Sequence, residues 1–118
     1  MRLLVPLALL AATFAAHAAD PAKMSPAAAA YYRCMVDKSA AYAKKAADAS
    51  EAIDAATSRC EERRENLRID LSAEIITEDI MAGRSRSEYQ TNRIVTSTLQ
   101  KLDERIRPDL VRTVLEAK

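Results

Sequence analysis

Cys34 and Cys60 are the only cysteines of this 118-residue chain, and they are its clearest candidates for chemistry. They lie at almost equal distances on either side of Asp48, where the pattern ends one helix and begins another. Because an export signal precedes them, we predict that they are oxidised into a bridge across an antiparallel helical hairpin. Two alternatives remain: a bridge between two copies of the chain, and a redox pair, although redox cysteines are usually close in sequence.

The distance between the two cysteines selects the path of the chain. A disulfide holds its two Cα atoms about 4.4 to 6.8 Å apart. One unbroken helix through both residues would separate them by roughly 39 Å, at about 1.5 Å per residue. If the chain instead reverses near Ala47 and Asp48, the two sulfur atoms meet across the hairpin. Closing a loop of this length is expected to stabilise the fold by roughly 3 to 4 kcal/mol.

The start of the chain predicts export. Met1 and Arg2 form a short basic region, an apolar run covers residues 3–14, and small residues with a candidate cleavage site at 16–18 (Ala-His-Ala) follow. The apolar run is too short for a transmembrane helix, which needs about 20 residues. We therefore predict a signal peptide over 1–18, cleavage after Ala18, and a secreted protein of the periplasm with no stable membrane insertion.

The composition of the remaining chain argues against several classes of function. Its 17 basic residues (18 in the full chain, less Arg2) equal its 17 acidic residues, so neither nucleic acid nor an anionic membrane is an expected partner. The only histidine, His17, belongs to the signal, which leaves no histidine as a general base or metal ligand. We expect no enzyme, no catalytic residues, no cofactor and no metal site.

The mature chain has almost no helix-breaking residues, which predicts an all-α fold. No proline or glycine occurs from Ala27 to Ala82, and Gly83 is the only glycine. We predict a tail over 19–25 and one helical domain over 26–118. In it, the disulfide-bonded antiparallel hairpin is followed by one or two further helices, giving a three- to four-helix bundle. The predicted helices cover about 26–46, 48–82, 86–107 and 108–116.

Local signals support these boundaries. Ser25 is suited to cap the first helix, and Asp48 and Ser85 each precede a glutamate at capping-box spacing. Two points stay open. The second helix either runs through or breaks between Asn66 and Ser72, and at Pro108 the chain either kinks or begins a fourth helix.

Helical periodicity predicts which side chains face the core. On the first helix we expect Tyr31 and Tyr42 inside and Tyr32 outside. On the other helices the predicted inward residues are Ile53, Ala56, Cys60, Leu67, Leu71, Ile75, Tyr89, Val95, Leu99, Leu102 and Ile106.

An acidic row on the second predicted helix needs an explanation. Asp70, Glu74 and Glu78 recur every fourth residue, so their like charges share a helical face and repel. We expect the third helix to supply counter-charges from three basic residues, Arg93, Lys101 and Arg105. The alternatives are weak binding of a divalent cation and a docking surface for a basic partner.

The segment from Tyr32 to Cys60 also carries a resemblance. Its pattern comprises 32–36 (YRCMV), 41–43 (AYA), Ile53, the alanines 55 and 56, and Cys60. It resembles small, uncharacterised exported helical proteins of Gram-negative bacteria that have a paired-cysteine hairpin. The resemblance implies the hairpin and the periplasm, and it implies no activity.

These observations together predict a non-enzymatic helical protein that works as a protein-binding or structural module of the periplasm. It would present helical faces to another protein, whose identity and stoichiometry the sequence does not specify. The alternative is a periplasmic stress chaperone, or an inhibitor of an exported enzyme, that exposes an apolar surface only under some conditions.

Overall fold

The structure, a computed structural model, describes residues 19–118. This part of the chain forms four α-helices. After a 3-10 turn at Pro21–Lys23 come α1 (Pro26–Tyr42), α2 (Ala49–Arg59), α3 (Glu61–Ala82) and α4 (Glu88–Ala117), with no strand in this range. The bond between Cys34 and Cys60 links α1 to the end of α2. The predicted all-α fold with a disulfide-bonded hairpin is confirmed, whereas the predicted signal peptide lies outside the described residues.

The first helix begins as its sequence predicts and ends earlier. The Ser25 side chain accepts a hydrogen bond from the Ala28 amide (3.3 Å), and Pro26 occupies the first helical position, where its missing N–H costs nothing. The helix predicted to reach about residue 46 ends at Tyr42. The amides of Lys45 and Ala46 both bond to the Tyr42 carbonyl (3.1 and 3.0 Å), so a turn that starts the reversal replaces the last helical residues.

The second helix begins at the predicted cap. The Asp48 carboxylate accepts a hydrogen bond from the Glu51 amide (2.9 Å), while the Glu51 carboxylate accepts one from the amide of Ala47 rather than that of Asp48. Small buried residues allow α1 and α2 to pack closely. They are Ser39 and Ala43 before the turn, and Ala52 and Ala56 after it.

The predicted long second helix is divided, but not between residues 66 and 72. Cys60 ends α2 and precedes α3, and its amide is shared between the carbonyls of Ala56 (2.9 Å) and Thr57 (3.3 Å). From Glu61 to Ala82 the helix is continuous, and it stops at Gly83, which has the left-handed φ of 66° that favours glycine. The break therefore falls at the residue whose sulfur is bonded to α1.

The last two predicted helices are a single helix. It begins at Ser87 instead of Ser85, because the Ser87 hydroxyl and the Gln90 side chain exchange hydrogen bonds with each other's backbone amides (3.1 and 3.0 Å). Pro108 lies inside this helix on its exposed side. The buried residues that follow it, including Leu110 and Val114, pack in the core and hold the helix together across the missing hydrogen bond.

The core lies where α1, α2 and the inner faces of α3 and α4 meet. Eleven residues were predicted to face inward from α2, α3, α4 and the α2–α3 junction. Nine of them are buried or half-buried apolar side chains of the core, and Cys60 is a tenth. Tyr89 is the exception, because it is 70% exposed. It lies six residues before Val95, which turns it about 120° away from the buried face of α4.

We predict that removing the disulfide costs the fold about 3 kcal/mol, because the bridge restricts the unfolded chain. Cys34→Ala/Cys60→Ala and the reduced wild-type protein should lose similar free energies of unfolding in urea titrations. Reductant should leave the double variant unchanged. Equal stability of the oxidised and reduced wild-type protein would contradict this expectation.

We also predict that Ser39→Ala stabilises the protein, because the Ser39 hydroxyl is fully buried and has no hydrogen-bond partner among residues 19–118. Ser97→Ala, at an exposed position of α4, is the matched control for the higher helix propensity of alanine. The gain at Ser39, measured by chemical denaturation, should exceed the gain at Ser97 by about 1 kcal/mol. If Ser39→Ala gains no more stability than the control, the buried Ser39 hydroxyl does not destabilise the fold.

Candidate interaction surface

The disulfide fixes the base of α3. The Cα atoms of Cys34 and Cys60 are 5.9 Å apart, and no free cysteine occurs in the described chain. Cys60 is completely buried, and the Arg59 guanidinium beside it donates a hydrogen bond to the Tyr42 hydroxyl (2.8 Å). The predicted pairing is therefore within one chain, and its geometry is that of a structural link between α1 and the α2–α3 junction.

A polar contact ties α1, α3 and α4 together next to this link. The Tyr31 hydroxyl donates to one oxygen of Asp103 (2.6 Å), and the Arg64 guanidinium donates to the other (2.8 Å). Tyr31 is buried, as predicted, but Arg64 pairs with Asp103 across the bundle rather than with an acid on its own helix. Two donors thus satisfy the Asp103 carboxylate, and the contact sets the relative rotation of three helices.

This environment changes the ionisation of two of its members. Burial and, after it, the hydrogen bond and negative charge of Asp103 raise the pKa of the Tyr31 hydroxyl well above its usual value of 10. For Arg64, burial alone would lower the pKa, but the hydrogen bond and charge of Asp103 outweigh it and raise the pKa. Both shifts extend the protonated forms to higher pH than in the unfolded chain.

A second carboxylate organises the N-terminal end of the described chain. Tyr32, predicted to face outward, is half-buried, and its hydroxyl donates to Asp109 (3.1 Å). The Ala19 amide donates to the same oxygen (3.0 Å), and the Arg112 guanidinium donates to the other (2.8 Å). Because Asp109 lies on α4, this contact fastens both α1 and the chain before it to the last helix.

Away from these contacts, α3 and α4 form a hairpin with little buried surface. We call residues 72–97 the distal hairpin. Only Asp79, Thr91 and Val95 are buried within it. Its connection is held by Asp79, whose carboxylate lies 3.5 Å from the Arg84 guanidinium and 3.6 Å from that of Arg86. The hairpin therefore presents most of its side chains to solvent.

Apolar side chains occupy the solvent-facing side of α3. Ile69, Ile76 and Ile80 are 59%, 51% and 74% exposed. Their spacing of seven and four residues places them within about 40° of one another around the helix. We call this row, with the exposed Ala73 between them, the outer face of α3. It lies nearly opposite the inner row of α3, which packs in the core and consists of Leu67, Leu71 and Ile75.

The acidic row starts about 100° around α3 from Ile69, at Asp70, and turns away from the outer face towards the inner side at Glu74 and Glu78. Its carboxylates have no counter-charge in the described chain. Asp70, Glu74 and Glu78 are exposed and form no salt bridge with any residue from 19 to 118. The expected pairing with α4 is therefore not made. In this range no group of three or more His, Cys, Asp or Glu side chains is arranged to hold a metal ion.

Sequence reasoning did not identify the outer face. The signal for it is present, because isoleucines at 69, 76 and 80 follow a helical period of their own. It was hidden by the inner row on the same helix, which satisfies the usual expectation of one apolar face. A helix with two opposite apolar rows has to bury one in its own core and leave the other exposed.

No family model matches the chain, and no curated protein or solved structure matches it. None of the helices in the described part is both long and apolar enough to cross a membrane. The resemblance to exported helical proteins of Gram-negative bacteria therefore stays a prediction.

The raised pKa of Tyr31 predicts a loss of stability at high pH. Above pH 10, unfolded tyrosine loses its proton while folded Tyr31 keeps it, so the free energy of unfolding falls as pH rises towards the folded pKa. Below pH 10 this contribution is complete. Tyr31→Phe should flatten the fall in stability above pH 10 and remove the last part of the phenolate absorbance titration. An unchanged titration would contradict the shift.

Proposed function

We propose that this protein is an exported, non-enzymatic binding module that docks a basic amphipathic segment of another protein on the outer face of α3. The observation that carries this proposal is the exposed apolar row at 69, 76 and 80, together with Met81, which is the most exposed large apolar side chain of the described chain. With the exposed Ala73, this row has the spacing i, i+4, i+7, i+11, which contains the i, i+4, i+7 anchor pattern by which amphipathic helices bind in grooves.

Charge supports a basic partner. Between Arg68 and Arg84 every charged residue of α3 is acidic, and only Asp79 among them has cationic neighbours. A partner helix with lysine or arginine beside its apolar row would neutralise Asp70, which lies beside Ile69, while covering the isoleucines. Such complementarity favours encounter with a basic segment and disfavours an acidic one.

The proposed compartment is the periplasm. The predicted signal over 1–18 and an intramolecular disulfide both fit a protein that folds in an oxidising environment. The bridge also suits the proposed role, because it fixes the base of the helix that carries the docking surface. Ile69, which lies near this base and outside the distal hairpin, therefore loses less entropy when it binds.

The chaperone alternative requires an apolar surface that appears under stress. The isoleucines of the outer face are already exposed in the folded protein, without any opening of the bundle. This favours a permanent docking surface over a conditional one. The other alternative, an inhibitor of an exported enzyme, is compatible with the same surface, because the docked partner can be such an enzyme.

We expect Ile76→Asp to abolish partner capture. The immobilised, oxidised mature protein should retain a specific set of periplasmic proteins, quantified by mass spectrometry. Ile76→Asp should reduce their recovery at least tenfold, since burying an isoleucine contributes about 1.5 to 3 kcal/mol. Leu115→Asp, also at an exposed apolar position but at the far end of α4, is the matched control and should retain them. Equal loss in both variants would exclude the outer face as the specific site.

The charge of the partner is tested with two synthetic helical peptides that share one apolar row and carry either lysine or glutamate beside it. The lysine peptide should shift the NMR signals of Ile69, Ile76 and Ile80, and its affinity should fall as salt rises. Asp70→Lys, which reverses the charge beside Ile69, should weaken the preference for the lysine peptide. Equal binding of both peptides to the wild-type protein would contradict a basic partner.

A further inference from the structure

Asp109 is a buried carboxylate with three donors converging on it. It is 6% exposed, and its Oδ2 atom lies 3.0 Å from the Ala19 backbone nitrogen and 3.1 Å from the Tyr32 hydroxyl oxygen. Its Oδ1 atom accepts from the Arg112 guanidinium at 2.8 Å. The Ala19 contact joins residues 90 positions apart, so the tertiary fold brings this backbone nitrogen to the carboxylate.

The nitrogen in that contact is the atom that the predicted cleavage would release. Hydrolysis after Ala18 breaks the bond between the Ala18 carbonyl carbon and the Ala19 nitrogen. Water supplies the hydroxyl of the departing Ala18 carboxyl group and a proton for the new amine, and a second proton from solvent makes that amine an ammonium. A neutral N–H donor thereby becomes a positively charged group, and hydrogen bonds to a charged partner are stronger than those between neutral groups.

We propose that Asp109 is the acceptor for the mature N-terminus, and that the Ala19 ammonium and the Asp109 carboxylate form an ion pair that exists only in the correctly cleaved protein. The inference rests on the predicted cleavage after Ala18, and it is independent of the proposed partner. It assigns a function to a buried acid that neither the core nor the outer face of α3 uses.

The chain after Ala19 is ordered in a way that holds its nitrogen in place. The Asp20 side chain accepts from the Ala22 amide (3.0 Å), and the Asp20 carbonyl accepts from the Lys23 amide (3.0 Å). Pro21 restricts the backbone between them. The N-terminus is therefore one residue away from a hydrogen-bonded turn that leads directly into α1. Little chain entropy remains to be lost when the ammonium binds.

The other groups around the Asp109 carboxylate favour a charged partner, and they do not take the place of the N-terminal ammonium. The Tyr32 hydroxyl is a neutral donor, and burial, followed by the charge of Asp109, raises its pKa. Arg112 contacts the other carboxylate oxygen. Because its side chain is more than half exposed, solvent screens the interaction of its charge with Asp109. Asp20 is exposed and its carboxylate already caps the turn, which makes it the competing acceptor to be tested.

Cleavage at a different bond would lose the pair. One additional residue moves the ammonium about 3.8 Å along the chain and restores a neutral amide at Ala19. The position of the cut is thus coupled to the stability of the product. A chain trimmed correctly would gain a contact that a precursor or a wrongly trimmed chain lacks.

The test compares two oxidised proteins, one starting at Ala19 and one that retains Ala18, each with and without Asp109→Asn. At pH 6 the form starting at Ala19 should have an unfolding equilibrium constant about tenfold lower than the form that retains Ala18. Asp109→Asn should abolish this difference, whereas Asp20→Asn should preserve it. Equal stability of the two forms, or a difference that survives Asp109→Asn or disappears with Asp20→Asn, would overturn the inference.

The pH dependence gives a measurement that does not need the Asp109 variant to fold. An ammonium paired in the folded state has a pKa above its unfolded value of about 7.7 to 8.0. Its stabilising effect should be complete below that range and disappear as pH rises through the folded pKa. NMR titration of the Ala19 amine should show the raised pKa, and an unshifted value would overturn the pair. An exported protein whose N-terminus is not Ala19 would remove the premise while leaving the proposed docking surface untouched.

Discussion

The covalent bond between Cys34 and Cys60 is the constraint on which this small bundle depends. It connects the middle of α1 to the single residue that separates α2 from α3, so one bond restrains three helices. The packing nearby relies on alanine and serine, which bury little apolar area and provide close approach instead of a large core. Under these conditions a covalent link and a few well-satisfied polar contacts supply what a larger apolar core would supply elsewhere.

Those polar contacts share a pattern. Adjacent tyrosines of α1 reach two carboxylates of α4 that lie six residues apart, Tyr31 to Asp103 and Tyr32 to Asp109. Because the two hydroxyls leave α1 in different directions, they fix both the rotation and the axial position of α1 against α4. Each carboxylate also accepts from an arginine, so the half-exposed Asp103 and the buried Asp109 both have charged partners.

Much of the fold follows from local sequence signals. The caps at Ser25 and Asp48, the stop at Gly83 and, with the exception of Tyr89, the inward rows were predictable, because each depends on a few neighbouring residues. The errors came where tertiary contacts decide. The end of α1 depends on the turn that reverses the chain, the break at Cys60 coincides with the disulfide, and Pro108 is tolerated inside α4 because the core holds the residues after it.

The candidate surface was less predictable for the same reason. The acidic row and its alternatives were visible in the sequence, but its lack of counter-charge depends on where α4 places Lys101 and Arg105. The outer face requires knowing that the inner row of α3 already covers the core. The roles of Asp103 and Asp109 depend on contacts across more than 70 residues, which no local pattern contains.

The distal hairpin has a consequence for how the molecule opens. With three buried residues in 72–97 and no covalent link of its own, this segment has few contacts to break, so its helices should fray and re-form while the disulfide-bonded end remains folded. Amide hydrogens there would exchange with solvent sooner than those around Cys60. The exposed Arg84 would then be the first cleavage site for a trypsin-like protease. A ligand bound to α3 would slow this cleavage.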